Sequence, residues 1–226
     1  EGPVHVESQE AFWRQQPSSF LFRGDVRAWR GENLLLAPEL RGDREADQLV
    51  ATGGVKTLWF PTPEQQARTA ARKDGATGQR GPIQVVSNEM SFLNKQGVLV
   101  YTGNVRVDQE GRTLTCQRLE VELGEKEREA EKMTCTGETK LNDPKAGRRV
   151  EGERAIYQVG QRQVDIFGEP VVMRDGEGNI VRGRRVLYFM EDGRVEVKGK
   201  DEVAPAAVPN PAAAPAPGGA AGSGGR

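Results

Sequence analysis

The sequence predicts an all-β protein of antiparallel strands, arranged as about six two-stranded repeats. The clearest repeat is residues 99–107, in which apolar and polar residues alternate on either side of Gly103. Such alternation is typical of a strand with one buried and one exposed face. The same pattern, centred on a glycine that we call the marker glycine, recurs at Gly24, Gly53, Gly137, Gly168 and Gly199. Recurrence at this regularity indicates a repeat architecture.

A second regular feature is a small residue upstream of each marker glycine. In five repeats the two are 16 residues apart, as from Ser87 to Gly103. In the remaining repeat Cys116 and Gly137 are 21 residues apart, and the extra residues fall in the charged segment 124–129, where an insertion costs little. Each repeat is therefore predicted to contain two strands joined by a turn. Short turns favour sequential antiparallel pairing, because a parallel crossover needs about a dozen residues or more.

One face of the predicted sheet is apolar. Positions two and four residues before and after each marker glycine hold mostly apolar side chains, and the intervening positions are polar. The marker glycine has the parity of the apolar face, so it leaves a gap there that lets facing sheets approach or strands bend. Around the upstream small residue the apolar parity switches, which predicts a bulge or corner. Corners in every repeat would produce a curled sheet or a sandwich open at its ends.

These features together resemble the OstA-like, LptA-type family of periplasmic lipopolysaccharide-transport proteins, which includes LptC-like proteins and LptD N-terminal domains. The resemblance is carried by residues 99–107, 20–28 and 150–157, and by residues 168–171, which match a Gly-x-Pro-Val variant of the family pattern. It implies an antiparallel open β-jellyroll with an apolar groove that holds the acyl chains of lipid A, while the saccharide stays outside. It also implies that protomers or related domains join through edge strands into a bridge between the inner and outer membranes.

The predicted apolar face supplies candidate groove residues. Core packing is the first role of any such residue, and the larger members near the repeat centres are the candidates for groove lining: Phe22, Leu99, Tyr101, Val105, Met133 and Ile166. A basic column three residues after the marker glycine contains Arg27, Lys56, Arg106 and Lys140. These side chains are candidates for contacts with lipid A phosphates, since Arg and Lys pair well with phosphate. The alternative is a solvated outer face. Trp13, Trp29 and Trp59 are expected at the edges of the sandwich.

The two cysteines lie on the two arms of one predicted hairpin. Cys116 and Cys135 do not make a metal site, and their spacing matches no redox motif. In an oxidising compartment they are candidates for a cross-strand disulfide. The alternative is two free, buried thiols that pack as small apolar residues.

The residues give little support for catalysis. His5 is the only histidine, so neither a His-based triad nor a His-rich metal site can be built. Gly176 and Gly178 lie in a turn rather than before a helix, which argues against a phosphate loop. Lys and Arg number 32 against 33 Asp and Glu, a balance that does not favour nucleic-acid binding. We expect a non-enzymatic protein with no cofactor, no metal and no nucleic-acid partner.

Two stretches interrupt the repeats. Residues 61–82 are expected to form an inserted loop between repeats 1–2 in residues 1–60 and repeats 3–6 in residues 83–202, which continue the same fold. Residues 203–226 are rich in Ala, Pro and Gly and carry one charge, so a disordered tail is expected. No apolar run is long enough to predict a membrane-spanning helix. The chain opens without a methionine or a leader, and we expect a mature or excised periplasmic fragment.

The resemblance and the apolar face together predict a lipid carrier of lipopolysaccharide export. The implied partners are lipopolysaccharide itself and other OstA-like domains, LptC-like or LptD-like, joined by edge-strand pairing, with a head-to-tail homo-oligomer as a further possibility. One alternative is a structural β-repeat scaffold without ligand, which predicts a filled interior. Another is a carbohydrate-binding β module, which predicts exposed aromatic residues on a polar face.

Overall fold

A computed structural model describes residues 3–16, 18–61, 81–124 and 130–199. Within these ranges the chain forms thirteen β-strands and one 3₁₀ turn at Asn94–Gln96, and contains no α-helix. The strands are β1 His5–Glu7, β2 Glu10–Arg14, β3 Ser19–Arg30, β4 Asn33–Asp43, β5 Gln48–Trp59, β6 Ile83–Leu93, β7 Val98–Gln109, β8 Arg112–Leu123, β9 Ala130–Asp143, β10 Arg148–Gln158, β11 Gln163–Arg174, β12 Ile180–Phe189 and β13 Val195–Lys198.

The strands form one antiparallel sheet in chain order. β1 pairs with the second half of β3 and β2 with its first half, so β1 and β2 together form one interrupted edge strand. From β3 onward each strand pairs with its neighbour in the chain, and β13 lies at the opposite edge of the described sheet. With β1 and β2 counted as one, the 13 strands occupy twelve positions, which are the six predicted two-stranded repeats. The predicted all-β repeat fold is confirmed.

The long strands bend at or beside the marker glycines. Gly103 and the following Asn104 have φ angles of 77° and 51°, both left-handed, where glycine and asparagine are tolerated best. The pairing register of β7 with β8 shifts at the same place, between Thr102 and Val105. A register shift with an unpaired residue is a β-bulge, which bends a strand and increases its twist. The register shifts recur in the pairs from β3 to β12, as the sequence predicted.

The bulges divide the sheet into two facing halves, which gives an open β-jellyroll. Half-sheet A contains the segments before the marker glycines and their hairpin partners, and half-sheet B contains the segments after them. Their apolar faces meet: the hydroxyl of Tyr101 in half-sheet A lies 3.0 Å from Oγ1 of Thr57 in half-sheet B. The core between them contains Leu119, Met133, Ile166 and Tyr188, each almost completely buried.

Several expectations concern residues beyond the described ranges. Most of the expected inserted loop, residues 62–80, and the expected tail, residues 203–226, lie outside them. The strands on either side of 62–80 pair directly, with Trp59 opposite Ile83. Of the two alternatives for the cysteines, the structure has the disulfide: Cys116 in β8 bonds to Cys135 in β9, with Cα atoms 5.8 Å apart. Nowhere in the described chain is there a helix with the length and hydropathy to span a membrane.

Candidate functional site: the groove between the half-sheets

A cavity of about 770 Å³ lies between the two half-sheets toward the β1 edge. Its volume falls within the roughly 300–1,000 Å³ of typical small-molecule sites. The lining is mostly aliphatic and aromatic, and comes from β1 and from β3 to β8. The principal inward-facing residues are Val6, Phe20, Ala28, Leu35, Leu40, Leu49, Thr57, Trp59, Met90, Phe92, Leu99, Tyr101 and Leu123.

Strand register explains why these side chains converge. In half-sheet A, Phe20 stands opposite Gly42, Gly42 opposite Leu49, Leu49 opposite Phe92 and Phe92 opposite Leu99. Because side chains alternate between faces, residues in one cross-strand row point to the same side. Gly42 accommodates the ring of Phe20, since a Cβ at that position would collide with the ring. The row is therefore a continuous apolar wall.

The cavity is open to solvent at its rim. Val4, 62% exposed, contributes to the lining, and Phe20, Leu49 and Phe92 are only half-buried although they face inward. The equivalent positions in the next three repeats, Leu99, Met133 and Val164, are buried, and Val195 in the last repeat, on the edge strand β13, is half-buried. The interior is thus unfilled near β1 and becomes packed along the axis of the sheet.

Tyr101 forms the inner end of the cavity. It is completely buried, its hydroxyl lies 3.0 Å from Thr57 Oγ1, and it accepts a hydrogen bond from the indole Nε1 of Trp59 at 3.3 Å. Burial raises the pKa of Tyr101 to about 12, against the opposing effect of its two hydrogen bonds. The cavity therefore ends in a neutral hydroxyl whose partners lie on the opposite half-sheet.

Beyond Tyr101 the other two tyrosines make the same kind of contact. The hydroxyl of Tyr157 in β10 donates to Oε1 of Gln109 in β7 at 3.1 Å. The hydroxyl of Tyr188 in β12 donates to Oδ2 of Asp143 in β9. Gln109 and Asp143, like Trp59, are six residues after a marker glycine. The chain contains three tyrosines, and each one joins half-sheet A to this repeat position in half-sheet B.

Arginine side chains make further contacts at the rims of the two half-sheets. Arg112 Nε lies 2.7 Å from the fully buried carboxylate of Asp143. Arg162, in the turn between β10 and β11, lies 2.8 Å from Glu110 in the turn between β7 and β8. Arg148 donates to the backbone oxygen of Gly193. We call the contacts beyond Tyr101 that link the rims of the two half-sheets the seam: Tyr157–Gln109, Tyr188–Asp143–Arg112, Arg162–Glu110 and Arg148–Gly193.

The seam carboxylates are held ionised. Burial raises the pKa of Glu110, but hydrogen bonds and charge from Arg162 outweigh it, and the net pKa lies below the ordinary value. Burial likewise raises the pKa of Asp143, and hydrogen bonds from Tyr188 and Arg112 bring it below its ordinary value. Burial and the Asp143 carboxylate raise the pKa of Tyr188 to about 12. At neutral pH the seam therefore pairs two carboxylates with two arginines and a neutral tyrosine.

The six residues expected to line the groove are divided by the structure. Leu99 and Tyr101 line the cavity. Val105, Met133 and Ile166 are fully buried in the core, and Phe22 is half-buried against that core. Sequence reasoning singled out neither Phe20, Leu49 nor Phe92 for lining, although all three have the apolar parity. Trp59, expected at a sandwich edge, supplies part of the cavity wall. The repeat pattern marks the inner face but contains no signal for where that interior is open.

The basic column lies on the outer face of half-sheet B. Arg27, Lys56, Arg106 and Lys140 stand in one cross-strand row and alternate with Leu36, Val86 and Thr115. All four are exposed, and Arg106 pairs with Asp108 at 2.7 Å. Their parity is opposite to that of the neighbouring cavity residues Ala28 and Thr57. In the part of the chain that the structure covers, no group of His, Cys, Asp and Glu has the arrangement of a metal site.

Comparison with known proteins gives a family for the second half of the sheet. Residues 84–194 match the family described as LptA/(LptD N-terminal domain) LPS transport protein. Among 21 matching solved chains is LptH from Pseudomonas aeruginosa, titled the LptA homologous periplasmic component of the conserved lipopolysaccharide transport device. It is 16% identical, with a TM-score of 0.43, over 53% of this chain and 76% of LptH. No curated protein sequence matches. Residues 84–194, just under half of the chain, are therefore similar to the LptA and LptD N-terminal-domain family of LPS transport proteins.

Proposed function

We propose that this chain carries lipopolysaccharide in the periplasm by holding lipid A acyl chains in the cavity, with the saccharide outside. The observation that carries the proposal is the row of large apolar side chains, Phe20, Leu49 and Phe92, that face inward and remain half-exposed. A filled core would bury them. The match of residues 84–194 to an LPS transport family favours an acyl chain over other apolar ligands.

Binding an acyl chain in such a site requires no catalytic group. Burying one methylene contributes about 0.8 kcal/mol, so several acyl carbons in the cavity give a useful affinity. The half-exposed lining would lose water at the same time, which adds to the gain. A transport site must also release its ligand. Shape and apolar lining without a covalent or ionic anchor suit that requirement.

The edges of the sheet suit assembly into a bridge. β2 is exposed along its whole length. Three of the four large apolar side chains exposed in the described ranges, Val4, Phe12 and Trp13, lie on or beside the β1–β2 edge. An edge strand with free backbone groups can add a strand from a partner. We propose that other OstA-like domains, LptC-like or LptD-like, or a second copy of this chain, pair there and at β13.

Photocrosslinking tests the acyl-binding site. A photoreactive residue replaces Leu49 or Phe92, on the cavity wall, or Arg106, on the outer face, and the protein is irradiated with purified lipopolysaccharide. Adducts at the two wall positions and not at Arg106 support the proposal. Equal labelling at all three positions, or none at the wall, contradicts it.

The scaffold alternative makes the opposite prediction. A β-repeat scaffold without ligand needs a filled interior, and the buried Met133, Ile166 and Tyr188 fit that description. The cavity toward β1 does not. An assembly that forms normally while the wall positions stay unlabelled would favour the scaffold.

A further inference from the structure

We propose that the seam is a latch: when closed it ends the acyl-binding groove at Tyr101, and when open it joins the interior between β9 and β13 to the cavity. This inference rests on the proposed function and concerns how far a bound acyl chain extends. It assigns a role in transport to Glu110, Arg162, Asp143 and Tyr188, which otherwise have only structural roles.

The interior beyond Tyr101 has the same construction as the cavity. Leu99, which lines the cavity, stands opposite Val121, and Val121 stands opposite Met133. Met133 in turn stands opposite Tyr157, which stands opposite Val164. The apolar wall of half-sheet A therefore continues through the closed half without a polar break, apart from the tyrosine hydroxyl at the seam. An acyl chain admitted past Tyr101 would meet the same kind of surface.

Side chains close this half of the jellyroll. In the described ranges every strand pairing is between strands of one continuous sheet, and no ladder joins the rim of half-sheet A to that of half-sheet B. The rims meet through the seam, as where Arg162 and Glu110, 52 residues apart, link two turns. Separating the two rims would therefore break the side-chain contacts of the seam and leave the pairing between strands intact. A hinge exists already in the bulges that separate the two half-sheets.

The seam is built from interactions suited to a reversible latch. Arg162, which pairs with Glu110, has a side chain only 8% exposed, and Asp143, which pairs with Arg112, has a side chain 0% exposed. Folding has therefore removed both ions from water. Desolvation offsets much of the attraction in a buried ion pair, and its net contribution to stability is small. Nε of Arg162 has no hydrogen-bond partner among the described residues, so its guanidinium is incompletely satisfied. The charged groups of the seam therefore lose part of their hydration when the seam closes. A ligand that binds the open state more tightly can shift the equilibrium between the closed and open states.

Two of the native methionines, Met90 and Met133, allow a direct test. Met90 lines the cavity, and Met133 is buried beyond Tyr101. The chain has four methionines, and photo-methionine replaces all of them with little change of shape. After irradiation with purified lipopolysaccharide, peptide mapping reports labelling at each position. In the wild-type chain we expect labelling at Met90 and little at Met133.

Seam variants give the decisive comparison. Glu110→Gln removes the charge opposite Arg162, and Tyr188→Phe removes only the hydroxyl that reaches Asp143. We expect the ratio of Met133 to Met90 labelling to rise roughly tenfold in Glu110→Gln, which corresponds to about 1.4 kcal/mol of opening free energy. Glu120→Gln is the matched control, since Glu120 forms an exposed ion pair with Arg118. The double variant Glu110→Arg with Arg162→Glu restores the pair with its charges exchanged and should return the ratio toward that of the wild type.

Each outcome decides between the two proposals. Labelling of Met133 equal to that of Met90 in the wild type overturns the latch, as does an unchanged ratio in folded seam variants. Absence of labelling at Met90 overturns the proposed function itself. If Glu110→Gln fails to fold, Tyr188→Phe, which keeps the ring volume, decides the question by the same ratio.

Discussion

The hydroxyl of Tyr188 reaches across the groove to the carboxylate of Asp143, 45 residues earlier in the chain. Tyr157 makes the equivalent contact with Gln109, and Tyr101 with Thr57 and Trp59. Trp59, Gln109 and Asp143 occupy the same repeat position in half-sheet B, and the chemistry of the tyrosine's partners differs from one repeat to the next. The partner changes from a hydroxyl and an indole, through an amide, to a carboxylate that also binds an arginine. The two half-sheets are accordingly joined most weakly beside the cavity and most strongly near β12.

The Tyr188–Asp143 contact predicts a measurable loss of stability. Tyr188→Phe leaves a buried carboxylate with one hydrogen bond fewer, and hydrogen bonds to charged groups contribute about 1.5–3 kcal/mol. We expect the free energy of unfolding, from urea denaturation at pH 7, to fall by about that amount. Tyr157→Phe is the matched variant: its partner is a neutral amide, for which about 0.5–1.5 kcal/mol is expected. A larger loss at Tyr157 than at Tyr188 would contradict this ranking.

The two seam carboxylates predict weaker folding in acid. The folded-state pKa values of Glu110 and Asp143 lie below their ordinary values of 4.5 and 3.8. Each therefore binds a proton more weakly in the folded chain than in the unfolded chain. The stability this gives is fully present above the ordinary pKa and is lost as the pH falls through the folded-state value. Urea titrations from pH 7 to pH 3 should show a shallower pH dependence in Glu110→Gln than in wild type. Identical curves would show that Glu110 is not coupled to folding.

The disulfide predicts a dependence on oxidation. Cys116 and Cys135 are 19 residues apart, and closing a loop of about that length restricts the unfolded chain by about 3 kcal/mol. We expect Cys116→Ser with Cys135→Ser to lower the free energy of unfolding by about that amount while the far-ultraviolet circular dichroism stays that of a β protein. Wild-type protein in a strong reductant is the control and should behave like the double variant. A stability that is the same in both redox states would show that the bond contributes nothing.

The exposed aromatic residues of β2 predict an association surface. Phe12, 53% exposed, stands on the edge strand, and a lysine there would place a charge where a partner strand must pack. We expect Phe12→Lys to weaken self-association, or association with an LptC-like or LptD-like domain, measured by analytical ultracentrifugation. Ile180→Lys tests the opposite end of the sheet, since Ile180 is 43% exposed on β12, and a head-to-tail assembly should be weakened there as well. Gln117→Lys is the control, since Gln117 is exposed on β8 between the two edges, and it should leave association unchanged. A Phe12→Lys protein that associates like the wild type would contradict the prediction.

The fold could be predicted from the sequence because each repeat is specified by residues close together in the chain. Alternation around Gly103 specifies a strand and its inner face, and the 16-residue spacing to Ser87 specifies the hairpin and its bulge. Which part of the interior is open could not be predicted from the sequence. Leu49 and Met133 occupy the same repeat position, yet one faces a cavity and the other lies in a packed core. That difference depends on which residue stands across the groove, and nothing in the repeat pattern specifies cross-groove pairing.

The seam illustrates the same limit. The sequence has only three tyrosines, two of them in the later repeats, but their partners lie 45 and 48 residues away and bear no sequence signal that links them. Arg162 and Glu110 lie in different turns and would be taken for solvated charges. Strand order and twist bring them together, and those follow from the whole sheet. The basic column, in contrast, lies in one strand row with the parity of the polar face, so both the row and its outward orientation could be predicted from the sequence.

Filling the cavity separates ligand binding from folding. In Leu49→Trp an indole would occupy space beside Phe20 and Phe92 that is empty in the structure, so new apolar contacts would form without displacing a packed core. We expect the free energy of unfolding to stay the same or rise, while lipopolysaccharide binding, measured by displacement of a fluorescent acyl probe, falls roughly tenfold, or about 1.4 kcal/mol. Thr115→Trp, on the outer face, should leave binding unchanged. Because a collapsed variant would lose stability and binding together, only a loss of binding in a fully stable Leu49→Trp protein shows that the ligand occupies this space. Retained binding in that protein would mean that the acyl chains lie elsewhere.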